Sequence, residues 1–426
     1  MIVYLICYTA SWILAYFHLY YISGLALLLA AGFLYYYDYH KTGNVIHLRG
    51  LFSAFWVGGQ GIACLKLSRL QIDWSVLTWL CFFLAFAGFW VTFEILERIF
   101  GGDGRFDRKR RRQRSFVRPV FYCIIVLTCV SLAAFIFEAV VLGFIPLFLR
   151  GVPHAYSEFH LSGVHYLTVS CVLVPALSVI YFLQGGSRRS ARNVLILFMT
   201  LIAFLIPVFC VSRFQLIFAI ALAVFTYCAY QRRIEPWLIA AAVVILIPLY
   251  LVLTVARSHD VSYLNGIFEM KNSNMPIFIS QPYIYIANNY ENFNCLVDAL
   301  PAHTWGIRSL FPVWALTGLK FVFPYLISFP IYVNKEELTT LTLFYDSYYD
   351  FGILGVAIFS CLLGAVCFFL VERLKEMKNP VGYVFYGQMA IYMMLSFFTT
   401  WFSNPTTWFY FGVTLCITIY CSISRR

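Results

Sequence analysis

Residues 108–138 read RKRRRQRSFVRPVFYCIIVLTCVSLAAFIFE, a basic run followed by an apolar run. The apolar part, 118–138, has the length of about 20 residues that an α-helix needs to cross the hydrocarbon core of a bilayer. Basic residues beside such a segment resist translocation, so the run at 108–114 also indicates which end of the helix faces the cytoplasm. This stretch therefore predicts an integral membrane protein and the orientation of one of its helices.

Similar apolar stretches recur along the whole chain. The sequence is 62% hydrophobic and 12% charged, with a mean hydropathy of +0.80, which is too apolar for a soluble domain of 426 residues. We predict an all-α polytopic membrane protein with about twelve transmembrane helices. The predicted spans are 1–16, 19–37, 49–66, 74–97, 118–138, 162–184, 193–210, 214–230, 236–254, 349–372, 382–402 and 408–423.

The first two predicted spans are short and closely spaced. Residues 1–37 therefore form either one tilted span or a hairpin of two helices. The start of the chain lacks a basic region and a small-residue cleavage site, so we expect the first helix to be retained rather than removed as a signal peptide.

The distribution of Lys and Arg predicts that both termini are cytoplasmic. In that orientation 21 of the 30 basic residues lie inside and nine outside. The cytoplasmic loop 97–118 carries nine of the 21, and its basic run suits anionic lipid headgroups, so we expect a membrane-lipid partner and no nucleic acid. The external face carries two long loops, 139–163 and 255–348, around a single transmembrane domain, 1–426. We expect the function on that face.

Motifs for metal, nucleotide or nucleophile sites are absent from the sequence. There is no CxxC or HExxH spacing, no P-loop, no GxGxxG and no GxSxG. Twelve of the thirteen cysteines lie in predicted spans, where thiols behave as small apolar residues. We therefore expect no metal and no cofactor.

The large external loop is rich in aromatic residues, unlike a flexible linker. Segment 305–329 is predicted to be amphipathic or re-entrant, with aromatic side chains at the membrane interface. Such a segment would form a lid over a cavity at the level of the membrane. Tyr283 of this loop is a candidate substrate-binding residue, as are Glu158 and His160 of the first external loop.

Four external arginines are candidates for an anion site, because a charge near the bilayer core is costly without a partner. Arg213 lies in a tight turn between two apolar helices, and Arg257 follows the ninth predicted span. Arg150 and Arg308 could complete a cluster. Such a cluster would bind phosphate, since the planar guanidinium forms bidentate hydrogen bonds to phosphate oxygens. The alternative is that each arginine snorkels to lipid phosphate or is solvated.

A transfer onto a hydroxyl group also needs a general base. Asp346 and Asp350 are four residues apart near the start of the tenth predicted span, so a helix would place them on one face. Two close carboxylates would raise one pKa, whereas the alternative is compensation of the helix dipole by acids in its first turn. Asp350 is the first choice, because Gly352 and Gly355 after it permit close backbone approach. The other candidates are Glu158, His160, His165, His259, Asp260 and His303.

In combination, these features resemble the oligosaccharide repeat-unit polymerases, also called O-antigen polymerases or Wzy proteins. The resemblance covers roughly residues 118–420. It rests on Gly143-Phe144-Ile145-Pro146-Leu147-Phe148, Ser212-Arg213, Arg257, Thr339-Thr340-Leu341-Thr342 and Asp350-Phe351-Gly352-Ile353-Leu354-Gly355. Members of this divergent family share a layout of many spans and a long external loop as much as they share residues.

The resemblance implies a metal-independent, inverting glycosyltransferase of the bacterial inner membrane, active at the periplasmic face. It would transfer a growing glycan from undecaprenyl pyrophosphate to a hydroxyl of another lipid-linked repeat unit, with a chain-length regulator protein as a further partner. Arg213 and Arg257 would hold the pyrophosphate, and Asp350 or another external group would activate the acceptor. Arginines placed there would stabilise the departing pyrophosphate most strongly in the transition state.

Three other functions are compatible with a polytopic chain. A lipid-linked glycan ligase would share this layout and differ in its product, a single transfer instead of a polymer. A flippase or transporter would more often show internal repeats and charges in mid-span, which this sequence lacks. A non-catalytic scaffold would not need arginines that converge at the membrane surface.

Replacing Arg213 by alanine tests the polymerase interpretation. We expect long glycan chains to disappear while single repeat units persist, because the pyrophosphate would lose a charged partner. Gel electrophoresis of the glycans measures this. A normal chain-length distribution in the variant would remove Arg213 from the site.

Overall fold

The computed structural model describes residues 1–101, 116–149, 155–187, 189–232 and 261–424. In these residues the regular structure is helical, and the β-type pairing consists of one isolated antiparallel bridge between Ser68 and Met270. The all-α prediction is confirmed for the described part of the chain.

The described residues form eighteen α-helices. In chain order they are α1 (Ile2–Tyr16), α2 (Tyr20–Thr42), α3 (Leu48–Phe52), α4 (Gly58–Cys64), α5 (Val76–Phe100), α6 (Val117–Leu142), α7 (Ala155–Glu158), α8 (Val164–Val169), α9 (Val174–Leu183), α10 (Ser190–Phe209), α11 (Arg213–Gln231), α12 (Val261–Phe268), α13 (Ile277–Ala299), α14 (Phe311–Leu316), α15 (Leu319–Val322), α16 (Tyr345–Lys375), α17 (Gly382–Met394) and α18 (Pro405–Ile423).

Within the described ranges, eight helical segments are long and apolar enough to cross a membrane. They are α2, α5, α6, the segment Val164–Leu183 that joins α8 and α9, α10, α11, α16 and α18. Large apolar side chains on several of them are exposed, including Leu29, Val126 and Leu362, each at least 60% accessible. Exposed apolar faces on long apolar helices are what a lipid-embedded protein requires, so the chain has the helices of a multi-pass membrane protein.

The remaining four of the twelve predicted spans do not correspond to single long helices or lie outside the described residues. Segment 49–66 is divided into α3, a π-helical turn at Ser53–Val57 and α4. Segment 382–402 contains α17, which has only 13 residues, and then turns. Residues 1–37 form a hairpin in which α1, of 15 residues, packs against α2. Segment 236–254 lies outside the described residues, so the total of twelve stays a prediction.

Two compact units are present. The first contains residues 1–101, 261–373 and 392–407, and the second contains the described residues between 116 and 232 together with 374–391 and 408–424. In the second unit, α6, α9, α10 and α11 pack together. The buried carboxylate of Glu138 on α6 accepts hydrogen bonds there from Thr168 (2.7 Å) and from the Leu161 N–H (3.0 Å).

The first unit encloses an unexpected helix, α13, within the predicted loop 255–348. This helix packs against α4 and α5. Contact with α4 is close because of a glycine: a Cβ built on Gly59 would lie 2.5 Å from the Tyr290 hydroxyl. Hydropathy does not reveal α13, because its buried face carries amides and a carboxylate, namely Asn288, Asn289, Glu291, Asn292 and Asn294.

A buried ion cluster joins α2, α3 and α5 of the first unit. The Arg49 guanidinium, which is fully buried, donates to Asp38 (2.6 and 2.9 Å), Glu94 (2.9 Å) and Glu97 (3.1 Å). Lys41 also pairs with Glu97, at 2.9 Å. Charges buried at helix contacts need such partners, since an unpaired charge in a low-dielectric environment carries a large desolvation cost.

Removing Arg49 should therefore destabilise the first unit. We expect Arg49→Met to lower the free energy of unfolding by about 3–5 kcal/mol, because the Asp38 carboxylate stays buried without its partner. Unfolding by SDS in mixed micelles measures this value. Arg98→Met is the matched control: Arg98 also pairs with Glu94, but its side chain is 77% exposed, so we expect little change. Equal effects of the two substitutions would contradict the prediction.

Candidate functional site

The segment before α16 is held in place by amide side chains of α13. Asn292 donates to the carbonyl oxygens of Leu338 (2.7 Å) and Thr340 (2.8 Å). Asn288 contacts Asn334, whose amide nitrogen lies 2.8 Å from the Asn288 oxygen. These buried amides satisfy the backbone of an irregular segment, which would otherwise leave carbonyl groups without donors. The segment leads directly into α16 and positions its first turn.

Helix α16 is interrupted at Gly352, where φ is 59° and ψ is −145°. Glycine is required there, since a Cβ would lie 2.9 Å from the imidazole Nε2 of His303. Just before the interruption, the carbonyl oxygens of Tyr349 and Asp350 accept hydrogen bonds from the N–H groups of Thr304 (3.4 Å) and Trp305 (3.1 Å). The interrupted helix thus ties segment 304–309 to its first turns.

The Asp350 carboxylate also anchors segment 304–309. Asp350 is fully buried and accepts hydrogen bonds from the Thr304 hydroxyl, from the Arg308 N–H (3.2 Å) and from the Ser309 N–H (2.7 Å). Three donors occupy most of the acceptor capacity of one carboxylate. This geometry favours a positioning role for Asp350 and not the role of an exposed base.

Asp346 lies one helical turn earlier and pairs with the side chain of Arg308. The Nε of Arg308 donates to the Asp346 Oδ1, and the guanidinium carbon lies 4.7 Å from the ring centre of Tyr349 and 5.4 Å from that of Tyr345. Asp346 and Asp350 are one helical turn apart on α16, as predicted, and both bind segment 304–309. Asp346 contacts the side chain of Arg308, and Asp350 accepts a hydrogen bond from the Arg308 backbone N–H.

The Arg308 guanidinium keeps its charge in this setting. Burial alone would lower the pKa of Arg308, but the Asp346 carboxylate, helped by Tyr345 and Tyr349, outweighs that effect and raises the pKa. The hydrogen bond from Nε to the Asp346 carboxylate also holds the guanidinium in one orientation. A charged and oriented arginine is the kind of group that recognises phosphate.

Arg308 and Asp346 line a cavity of about 490 Å³ in the first unit. Its polar lining comprises Arg308, Lys320, Asp346, Thr400, Ser403 and Asn404. Its apolar wall comes largely from the segment 311–331, through Phe311, Leu326, Ile327, Phe329 and Ile331. An apolar wall beside two cations suits an amphiphilic ligand with an anionic group. We call this space the cationic cavity.

The predicted lid segment consists of short helical pieces. These are α14, α15 and the 3₁₀ turn Pro324–Ile327. Their exposed aromatic and aliphatic side chains are typical of a segment at a membrane interface. The segment borders the cationic cavity through Phe311, Lys320 and Leu326.

The other predicted site residues lie elsewhere. Arg213 begins α11 in the second unit. In the same unit, Glu158 and His160 are exposed, and the His160 ring centre lies 4.9 Å from that of His165. Tyr283 is buried: its hydroxyl accepts from the Leu67 N–H and donates to Gln71, so it holds a loop. Arg150, Arg257, His259 and Asp260 lie outside the described residues.

Sequence reasoning missed the other polar residues of the cationic cavity. Lys320 was not singled out from the loop cations, and Thr400, Ser403 and Asn404 fall at the end of one predicted span or just after it. The sequence feature that could have indicated these three residues is the polar turn between two apolar runs, Thr399-Thr400-Trp401-Phe402-Ser403-Asn404-Pro405. Asn404 caps α18, since its side-chain oxygen accepts from the Thr406 N–H at 2.9 Å.

Comparisons with protein-family models, curated proteins and solved structures found no match.

Replacing Asp350 by asparagine tests its anchoring role. The amide nitrogen that asparagine brings cannot accept a hydrogen bond, so a buried N–H loses its partner, at a cost of about 1–3 kcal/mol. We expect faster hydrogen exchange at the amides of 308 and 309, measured by mass spectrometry. Asp298→Asn is the control, because that exposed carboxylate contacts Asn294 at the end of α13. Unchanged protection of 308 and 309 in Asp350→Asn would refute the anchoring role.

Proposed function

We propose that this chain is a bacterial inner-membrane glycosyltransferase that polymerises oligosaccharide repeat units linked to undecaprenyl pyrophosphate, such as those of O-antigen or a related surface polysaccharide. The observation that supports this most is the cationic cavity, in which an oriented arginine and a lysine border an apolar wall. A lipid-linked diphosphate has the matching parts: an anionic headgroup and a long apolar chain. The reaction would take place at the periplasmic face.

In this proposal, Arg308 and Lys320 bind the diphosphate of the donor. The bond from the anomeric carbon to the bridging phosphate oxygen breaks, and negative charge accumulates on the departing pyrophosphate. Cations fixed beforehand near that oxygen stabilise the transition state more than the ground state. The hydroxyl and amide groups of Thr400, Ser403 and Asn404 would donate further hydrogen bonds to phosphate or sugar oxygens.

The acceptor hydroxyl must lose its proton as it attacks the anomeric carbon. Asp346 is better placed for this than Asp350, because Asp346 lines the cavity and Asp350 is occupied by three donors. Engagement of Arg308 by phosphate would weaken its hold on Asp346 and free that carboxylate to accept the proton. Asp350 would act by keeping segment 304–309 in position.

The family resemblance also implies that Arg213 and Arg257 bind pyrophosphate; Arg213 lies in the second unit, and Arg257 lies outside the described residues. A chain-length regulator protein would be a partner of the polymerase. These parts of the proposal rest on the resemblance and not on the cationic cavity.

Substitutions of Arg308 test the proposal directly. With purified protein in nanodiscs and the lipid-linked repeat unit of the source bacterium, we expect Arg308→Ala to slow polymer formation about 10²–10³-fold, the usual cost of removing one transition-state charge partner. Arg308→Lys should restore only part of the rate, since a lysine keeps the charge but not the planar fork. Asp346→Asn should also reduce the rate, because an amide cannot take the proton of the acceptor hydroxyl.

Lys335→Ala serves as the control, because Lys335 lies in the same loop but pairs with Glu269 and does not line the cationic cavity. Its polymer ladder should match that of the wild type. An unchanged ladder in Arg308→Ala would exclude this cavity as the site. Transfer of single glycans to another acceptor by the wild type, without a ladder, would assign the chain as a ligase.

A further inference from the structure

A second cavity in the first unit, of about 540 Å³, has a different chemistry. It lies between the turn that joins α1 to α2, the loop 65–75 and the start of α5. Its walls are aromatic: Trp12, Tyr16, Tyr20, Trp74 and Trp79. We call it the aromatic cavity. Flat, rigid rings of this kind offer apolar faces together with polar edges.

One edge of the aromatic cavity carries a connected set of polar groups. The Tyr20 hydroxyl donates to the Asp73 Oδ1 (2.9 Å) and lies 2.6 Å from the His18 Nδ1. The Lys66 Nζ lies 3.3 Å from the same Asp73 oxygen. A cation and an anion are therefore adjacent in one pocket, and hydroxyl and imidazole groups stand beside them.

Lys66 is the unusual member of this set. Its side chain is only 6% exposed, and its ammonium lies over the rings of Tyr20 (5.5 Å) and Trp74 (5.9 Å) while it also lines the cavity. An ammonium has three donor hydrogens, and Asp73 engages one side of it. A ligand in the cavity would find N–H donors from Lys66 next to carboxylate acceptors from Asp73.

We propose that the aromatic cavity binds carbohydrate, a neutral polyhydroxylated ligand. A sugar hydroxyl both donates and accepts, so neighbouring hydroxyls can satisfy the Lys66 ammonium and the Asp73 carboxylate at once. An anion would meet the repulsion of Asp73, and a cation that of Lys66. The apolar C–H face of a pyranose ring would pack on the tryptophan rings.

Aromatic residues also gather at membrane interfaces without any ligand. That explanation suits Trp12 and Tyr16, which are 41% and 77% exposed. It does not explain Trp74, which is 8% exposed and whose indole N–H donates to the buried Glu291 at 2.8 Å. Nor does it account for a buried lysine that faces the cavity.

The backbone at the aromatic cavity is also strained. His18 and Lys66 adopt positive φ angles of 59° and 47°, which side chains other than glycine rarely do. Both of these residues line the cavity. Strain of this kind persists where surrounding contacts impose it, and it is concentrated at binding sites.

The identity of the carbohydrate rests on the proposed function. Under that function, the carbohydrate would be the glycan of a lipid-linked repeat unit or of the growing polymer. The binding itself does not depend on polymerase activity. The aromatic cavity shares no lining residue with the cationic cavity, so substitutions in one can be compared with substitutions in the other.

The experiment uses the full chain in nanodiscs and soluble tri- and tetrasaccharides of glucose, galactose, mannose and N-acetylglucosamine, with binding followed by tryptophan fluorescence and saturation-transfer NMR. We expect at least one saccharide to bind. Lys66→Met and Trp12→Ala should each weaken that binding by about tenfold or more, the effect of one lost charge-assisted hydrogen bond or stacking surface. Trp12 is partly exposed, so its substitution should leave the fold intact.

Lys271→Met is the matched control, because the Lys271 ammonium also lies near the Tyr20 ring (6.0 Å) but is not among the lining residues of the aromatic cavity. Its saccharide binding should equal that of the wild type. The proposal is overturned if no saccharide of the panel binds, if binding survives both Lys66→Met and Trp12→Ala, or if only inorganic pyrophosphate binds at Lys66.

Arg308→Ala separates the two proposals. It should keep full saccharide binding whether or not the chain polymerises glycans. An unchanged polymer ladder in Arg308→Ala would contradict the polymerase proposal. The carbohydrate proposal would still hold if a saccharide of the panel binds and Lys66→Met and Trp12→Ala weaken that binding.

Discussion

The hydrogen bonds of one buried polar helix, α13, hold the loop 65–75 beside the aromatic cavity and the segment that leads into α16, which carries Asp346. Its amides bond to the carbonyls of Leu338 and Thr340 before α16. Its Glu291 carboxylate accepts from the N–H of Ile72 (3.3 Å) and from Trp74 in the loop 65–75. Loops without regular structure cannot satisfy their own backbone groups, so a polar helix within the unit provides the partners they need.

Two arginines of the first unit, Arg49 and Arg308, pair with carboxylates in different ways. Around Arg49, three carboxylates enclose a fully buried guanidinium, so most of its N–H donors are engaged inside the protein. Arg308 uses its Nε for Asp346 and lines a cavity. The first arrangement suits a structural link between helices. The second leaves a charged group on the wall of a cavity, which is what the proposed role of Arg308 in binding a diphosphate requires.

The sequence predicted what hydropathy and periodicity can report. Long apolar runs such as 118–138 correspond to long helices, and the spacing of Asp346 and Asp350 predicted their shared position on α16. The helix α13 could not be predicted in the same way, because its buried face is made of amides whose partners are far away in the chain. The pairing of Arg308 with Asp346 could not be predicted from the sequence either, since it depends on the path of segment 304–309 across α16.

The shared support of the two cavities bears on how a polymerising enzyme could work. Joining two lipid-linked glycans requires that a donor and an acceptor be held in a fixed relation, because proximity and orientation supply much of the rate enhancement. Asn334 bonds both to Asn288 on α13 and to the Leu70 carbonyl (3.3 Å), so the segment before α16 is linked to the loop of the aromatic cavity. If adjacent loops held by one helix carry the proposed sugar and diphosphate sites, the separation of the sites would stay constant through successive additions, whereas sites on independent loops would not keep it.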